Sequence, residues 1–206
     1  MNTHPARTRL ALEGGSKVRN KPFPPWPVIF EDQKQAVREI LDSGKLNYWT
    51  GEAGVAFQGK LAAYTATEHA IVLNSGTSAL HCALAAAQVG PGDEVIVPSR
   101  TFVATAAAVI HQNAVPVFAD IDPYTYTIGI DSVRELINER TRAVIPVHLA
   151  GHPADMDPLM ELAREYGLVI IEDAAQAPGA RYKGRPVGAL GHIAAFSSVS
   201  YTHLRA

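Results

Sequence analysis

The chain has 206 residues, 47% hydrophobic and 18% charged, a balance typical of a globular protein with a substantial core and not of a disordered chain. Eighteen basic and twenty acidic residues give a net charge of −2, which argues against nucleic acid or a membrane surface as a partner. The single cysteine allows no internal disulfide, and no signal peptide or bilayer-length apolar run is recognisable, so we expect a cytoplasmic protein.

The first part of the chain predicts an arm followed by helices. Residues 1–30 are rich in turn formers and proline, most densely from Pro22 to Pro27, which is typical of an extended N-terminal arm. Apolar residues at helical spacing predict a helix over 31–43, with Gly44 as its C-terminal stop. A second amphipathic helix is expected from Val55 to Ala63.

From residue 69 onward, short apolar runs alternate with stretches of helical spacing. This alternation predicts βα units on a mostly parallel sheet flanked by helices, because strands covered on both faces are almost continuously apolar. Ligands bind such sheets beyond the carboxyl ends of the strands, so the polar residues after each run are the site candidates. The predicted strands are 70–73, 94–97, 115–119, 143–147, 168–171 and 193–196, and the predicted helices run over about 76–88, 102–111, 131–139 and 158–166.

The first predicted strand leads into a segment rich in glycine and hydroxyl groups, Ser75 to Leu80. Gly76, Thr77 and Ser78 would open a helix with free backbone N–H groups, the positive end of the helix dipole and side-chain donors together. That arrangement suits a phosphate group. Serine and threonine are also favoured at ordinary helix N-caps, so the segment by itself leaves both interpretations open.

Acidic and aromatic side chains follow two other predicted strands. Asp173 lies in the segment Glu172 to Ala177, where an acid could hold a metal, cap a helix or pair with the nitrogen of a heterocyclic cofactor. Gln176, three residues further on, could reach an oxygen of the same ring. Phe102 could stack on a flat cofactor, although a single phenylalanine is more often part of a core.

Two pairs of side chains suggest metal binding, and both pairs have simpler explanations. His148 and His152 bracket a strand end instead of sharing a helix face, and no third ligand stands at a convincing spacing, which disfavours zinc. Asp120 and Asp122 resemble the acid pair of metal-dependent nucleotide-sugar glycosyltransferases, which is the main alternative function. Pro123 follows them and favours an ordinary turn. We therefore assign no metal ligands.

Six ordered segments together resemble the DegT/DnrJ/EryC1/StrS family of sugar aminotransferases, which depend on pyridoxal 5′-phosphate (PLP). The resemblance covers roughly residues 10–198, and the beginning of the chain is most similar to aminocyclitol aminotransferases and 3-amino-5-hydroxybenzoate synthases. It implies fold type I, the α/β fold of aspartate aminotransferase, with residues 31–198 as an incomplete PLP-binding large domain. The six segments are 75–80, 98–105, 120–122, 146–151, 155–157 and 172–177.

The resemblance also implies the site residues and the reaction. The implied cofactor contacts are Gly76, Thr77 and Ser78 on the phosphate, Phe102 stacked on the ring, Asp173 on the pyridine nitrogen, Gln176 on the phenolic oxygen, and Ser197 as a further phosphate ligand. The implied reaction transfers an amino group from glutamate or glutamine to a nucleotide-linked keto-sugar or to a keto-cyclitol, in sugar, polysaccharide or secondary-metabolite biosynthesis. Family members are usually homodimers with active sites at the subunit interface.

The end of the chain departs from the family. The Schiff-base lysine is expected at the position of Thr202, and threonine can neither hold the cofactor covalently nor move the proton. Residues 199–206 do not resemble the family, and three explanations are open. A foreign end on a fragment is favoured; the others are a dehydratase relative with histidine in place of the lysine, His203 being one position away, and a non-catalytic PLP-fold binding protein. We therefore expect an inactive chain from a parent gene that encodes an aminotransferase.

Overall fold

The computed structural model describes residues 9–23, 25 and 27–198 of the chain, which divides into two compact units, 1–42 and 43–206. The first unit contains a short 3-10 turn, Ala11–Glu13, and most of helix α1, Glu31–Ser43. The predicted helix over 31–43 is confirmed. It ends before Gly44, whose φ of +65° lies in the left-handed region that favours glycine.

The second unit is built on a parallel sheet flanked by helices, which confirms the predicted fold class. Five strands lie in the order β2-β1-β3-β4-β7, and β5 and β6 form a small antiparallel hairpin. The helices are α2, Ala53–Thr65; α3, Gly76–Ala86; α4, Val103–His111; α5, Ile130–Leu136; and α6, Met156–Tyr166. The strands are β1, Glu94–Pro98; β2, Val115–Ala119; β3, Thr141–Val144; β4, Val169–Asp173; β5, Arg181–Tyr182; β6, Arg185–Pro186; and β7, Ile193–Ala195.

Successive side chains of each central strand enter different apolar clusters on the two faces of the sheet. Val95 and Val97 of β1 pack with side chains of α3 and α4, whereas Ile96 packs with side chains of α5 and α6. In β4, Ile171 and Ile170 divide in the same way. This two-sided burial is the reason that the strands are apolar without interruption. Within the described part of the chain, no helix is long and apolar enough to cross a membrane.

Three features of this unit differ from the sequence-based expectation. The run 70–73 forms no strand, and Ile71 is 75% exposed, because no other described segment pairs with it. Helix α5 ends at Leu136, earlier than predicted, because Ile137 adopts an extended backbone with φ −66° and ψ 129°. The hairpin of β5 and β6 was not predicted, since its strands are only two residues long each.

Candidate functional site

The start of α3 and the end of the sheet meet at Gly76. A Cβ atom added to Gly76 would lie 2.9 Å from the Cβ of Ser197 and 3.2 Å from the carbonyl oxygen of Phe196. Only a glycine allows this close approach, which brings together two of the residues predicted to bind phosphate. Ser197 is itself buried.

The first turn of α3 has the geometry of a helix N-terminus with donors available. Ser75 is the N-cap: its Oγ accepts a hydrogen bond from the N–H of Ser78 at 3.2 Å and lies 3.1 Å from the Oγ of Ser78. The N–H groups of Gly76 and Thr77 have no acceptor inside the helix, as in any first helical turn. The N-cap and the predicted phosphate site are therefore compatible in this turn. The cap uses the N–H of Ser78 and leaves those of Gly76 and Thr77 as donors.

Asp173 ends β4 as a buried carboxylate, only 5% exposed. Its Oδ2 accepts a hydrogen bond from the Oγ1 of Thr105 at 2.7 Å, and its Oδ1 accepts one from the N–H of Ala175 at 3.2 Å. Burial raises the pKa of Asp173, while these hydrogen bonds lower it, and the net direction is upward. Asp173 forms no salt bridge within the described residues. The described groups that donate hydrogen bonds to its carboxylate are therefore uncharged.

Gln176 is exposed and is oriented by the loop after β3. Its side-chain oxygen accepts a hydrogen bond from the N–H of Ala150 at 2.8 Å. Because a backbone N–H can only donate, the amide oxygen must face Ala150, and the NH2 group of Gln176 remains as a donor. Ala150 is in the left-handed region, with φ 51° and ψ 31°, a conformation that the surrounding loop must hold in place.

Phe102 is 66% exposed and occupies the N-cap position of α4. It is therefore not part of the core, which was the simpler explanation for a single phenylalanine. Its carbonyl oxygen accepts a hydrogen bond from the N–H of Thr105 at 3.1 Å, so the same residue contacts both Phe102 and Asp173.

A buried Glu172–His148 pair lies behind the strand ends, and no pattern in the sequence predicted it. The Nε2 of His148 is 3.0 Å from the Glu172 carboxylate, and its Nδ1 accepts a hydrogen bond from the N–H of Ala154 at 3.1 Å. Nδ1 must therefore be unprotonated, and Nε2 carries the hydrogen that is donated to Glu172. Since both ring nitrogens are occupied, His148 is not available as the zinc ligand that its spacing with His152 suggested.

Asp120 and Asp122 lie on a separate open cleft of about 770 Å³ whose lining includes none of the predicted cofactor contacts. The Oδ1 of Asp122 accepts hydrogen bonds from the N–H groups of Tyr124 and Thr125 at 2.9 and 2.8 Å, and these bonds lower the pKa of Asp122. This is the turn that Pro123 indicated. The described residues contain no group of three or more His, Cys, Asp or Glu side chains that could hold a metal ion.

The position predicted for the lysine, Thr202, and the tail 199–206 lie outside the described residues. Thr105 was missed by the sequence interpretation, although a signal was present. It stands one helical turn after Thr101 in an otherwise largely apolar helix, where a hydroxyl that faces the core needs a polar partner.

Comparison with known proteins supports the resemblance found in the sequence. The sequence model of the DegT/DnrJ/EryC1/StrS aminotransferase family matches residues 27–204. The L-glutamine:2-deoxy-scyllo-inosose aminotransferase of Streptomyces lividus is 43% identical over 193 residues, which are 91% of this chain and 46% of that protein. The dTDP-3-amino-3,4,6-trideoxy-alpha-D-glucose transaminase of Streptomyces venezuelae is 50% identical over 164 residues, 79% of this chain and 42% of that protein.

A solved structure shows the same architecture. The crystal structure of 3-amino-5-hydroxybenzoic acid synthase superposes with a TM-score of 0.84 at 36% sequence identity, covering 87% of this chain and 47% of that one. The parallel sheet flanked by helices is thus the fold of these aminotransferases. The chain spans about half the length of the curated relatives it matches.

Proposed function

Because the chain belongs to the DegT/DnrJ/EryC1/StrS aminotransferase family, we propose that it is the PLP-binding part of an enzyme that aminates a keto-sugar or a keto-cyclitol. The amino donor in this proposal is glutamine or glutamate, and one relative is named for L-glutamine and a cyclitol ketone. The observation that carries the proposal is the buried carboxylate of Asp173, whose hydrogen-bond donors among the described residues are all neutral.

Asp173 fits the pyridine nitrogen of PLP on electrostatic grounds. An ionised carboxylate that is taken out of water is unfavourable unless a positive group compensates it. A protonated pyridine ring supplies that charge and a hydrogen-bond donor together. When bound, PLP withdraws electrons from the substrate carbon through its protonated ring, and Asp173 would hold that proton on the nitrogen.

The remaining predicted contacts have the donors that PLP requires. The NH2 group of Gln176 can donate to the phenolic oxygen, since the amide oxygen already accepts from the N–H of Ala150. Gly76, Thr77, Ser78 and Ser197 offer backbone and hydroxyl donors where the start of α3 approaches the end of β7, and a phosphate would accept from them. Phe102, exposed beside this end of the sheet, supplies an aromatic face for the ring.

The state of the protein and its activity are further parts of the proposal. We expect a cytoplasmic homodimer, as the family resemblance implies. Thr202 stands at the position expected for the catalytic lysine, so the 206-residue chain should bind PLP without transferring amino groups. Domain limits of 1–30 for an arm, 31–198 for an incomplete large domain and 199–206 for a foreign tail stay part of this proposal.

Calorimetric titration of the 206-residue chain with PLP tests the cofactor assignment. We expect one binding site, weaker binding of pyridoxal, which lacks the phosphate, and no consumption of glutamine. Free PLP at a hundredfold excess over its Kd should stabilise the fold by about 2.7 kcal/mol. Asp173→Asn should weaken binding, whereas Asp120→Asn is a matched control on the separate cleft and should not.

The result that would contradict the proposal is stabilisation by Mn²⁺ with a nucleotide sugar and none by PLP. Loss of that stabilisation in Asp120→Asn would then support the glycosyltransferase alternative. The corresponding assay for the longer parent protein is glutamine-dependent amination of a keto-sugar, which also separates an enzyme from a non-catalytic PLP-binding protein.

A further inference from the structure

A short chain of hydroxyl groups leads from the first turn of α4 to Asp173. The Oγ1 atoms of Thr101 and Thr105 are 2.7 Å apart, and the Oγ1 of Thr105 is 2.7 Å from the Oδ2 of Asp173. Thr105 is fully buried. The bond connects residues 68 positions apart in the chain, and it links the helix after β1 to the end of β4 although β3 lies between those strands.

Thr105 does not behave as a buried threonine in a helix usually does. The common arrangement is a hydroxyl that donates to the carbonyl oxygen one turn earlier. Thr65 of α2 shows that arrangement, because its Oγ1 lies 2.8 Å from the carbonyl oxygen of Leu61. The Thr105 hydroxyl is directed at Asp173 instead, so its orientation serves the carboxylate and not the helix.

The direction of the hydrogen bonds follows from the chemistry of the three groups. An ionised carboxylate can only accept, so Thr105 must give its single hydroxyl hydrogen to Asp173. Thr105 then has only lone pairs for Thr101, and Thr101 must be the donor in the contact between them. Thr101 therefore holds the Thr105 hydroxyl in the orientation that Asp173 requires.

We propose that Thr105, oriented by Thr101, is a positioning residue that holds the Asp173 carboxylate ionised and aimed at the pyridine nitrogen of the cofactor. This inference rests on the proposed function. Thr105 also donates its backbone N–H to the carbonyl oxygen of Phe102, so one residue ties the stacking side chain and the acid into a single unit. Among the described residues, the N–H of Ala175 is the other hydrogen-bond donor to this carboxylate, on Oδ1.

Carbon-13 NMR titration of the aspartate carboxyl groups in the 206-residue chain tests the inference without any cofactor, with the Asp173 signal assigned from Asp173→Asn. Thr105→Val should raise the pKa of Asp173 by about one to two units, since it removes a hydrogen bond to the charged form. Thr105→Ser keeps the hydroxyl and should restore the wild-type titration. Thr101→Val should raise the pKa by a smaller amount.

Thr65→Val is the matched control, because it removes a buried helical hydroxyl that does not touch Asp173. His148 and Glu172, two titratable residues beside Asp173, form their own pair and are not substituted in any of these variants. An unaltered titration of Asp173 in folded Thr105→Val, or an equal shift in Thr65→Val, overturns the inference. If Thr105→Val does not fold, an unaltered titration in Thr101→Val overturns it.

PLP binding separates this inference from the proposed function. We expect Thr105→Val to bind PLP about tenfold or more weakly than wild type at neutral pH, with Thr105→Ser close to wild type. If no form of the chain binds PLP while the titration shifts as expected, the proposed function fails and the coupling of Thr105 to Asp173 stands without it. If PLP binds and Thr105→Val changes neither the titration nor the affinity, only the role of Thr105 fails.

Discussion

The carboxylate of Glu172 accepts four hydrogen bonds from the described part of the chain, and Glu172→Gln changes that arrangement by one atom. Oε1 accepts from the N–H groups of Leu190 and Gly191 at 2.8 and 2.7 Å. Oε2 accepts from the Nε2 of His148 at 3.0 Å and the N–H of Gly188 at 2.9 Å. A glutamine keeps one acceptor oxygen, so its NH2 group must face two of these donors.

The magnitude follows from the two buried donors that lose their acceptor. Each unsatisfied buried group costs roughly 1–3 kcal/mol, so Glu172→Gln should lower the free energy of unfolding by about 2–6 kcal/mol. A change of tautomer in His148 does not avoid this cost. With the hydrogen on Nδ1, two N–H donors would face each other, because Nδ1 now accepts from the N–H of Ala154. Since domains are stable by roughly 5–15 kcal/mol, a large share of the total would be lost.

Urea denaturation of the 206-residue chain, followed by circular dichroism, measures this difference. Glu165→Gln is the control: Glu165 is exposed and lies 3.8 Å from the Arg134 guanidinium, so its loss should cost under about 1 kcal/mol. If the two variants are equally stable, the carboxylate does not organise the segments around it and the reasoning is refuted.

The effect of Glu172→Gln should also depend on pH. Burial raises the pKa of Glu172, but the hydrogen bonds from His148 and from the backbone of Gly191 and Gly188 lower it more, and the net direction is below the ordinary 4.5. A carboxyl group with a lowered pKa in the folded state contributes stability above pH 4.5 that is lost as the pH falls through the folded-state pKa. The difference in the free energy of unfolding between wild type and Glu172→Gln should therefore become smaller in acid.

Three other substitutions should change the free energy of unfolding, one downward and two upward. Gly76→Ala would place a Cβ atom 2.9 Å from that of Ser197, so we expect a loss of about 1–3 kcal/mol in urea denaturation and weaker PLP binding. Gly59→Ala in α2, where an added Cβ atom would meet no described residue within 4 Å, should instead gain about 0.5–1 kcal/mol. Equal stabilities of the two variants would contradict the crowding at Gly76. Asp173→Asn should stabilise the cofactor-free chain at neutral pH, because a folded-state pKa that is raised means that ionisation of Asp173 opposes folding. This gain in the free energy of unfolding should vanish below pH 3.8. A gain that persists below that pH would count against ionisation as the cause.

Local patterns in the sequence were sufficient for most helices and strands. The apolar runs of β1 and β4 and the helical spacing of α1 and α6 are set by neighbours within one or two turns or strand positions, and such periodicity can be read along the chain. The run 70–73 was wrongly predicted to be a strand. A strand also needs a neighbouring strand for its backbone hydrogen bonds, and a local pattern does not identify that neighbour. The resemblance to the family was likewise visible in short motifs.

Contacts between distant residues were decided only by the tertiary structure. The approach of Gly76 to Ser197, and the bond from Thr105 to Asp173, depend on the strand order β2-β1-β3-β4-β7, which brings the end of one strand beside helices that follow others. The same holds for the Glu172–His148 pair, since the sequence around either residue does not indicate their contact. Burial then gives these contacts their strength, because it removes the water that would otherwise satisfy each polar group.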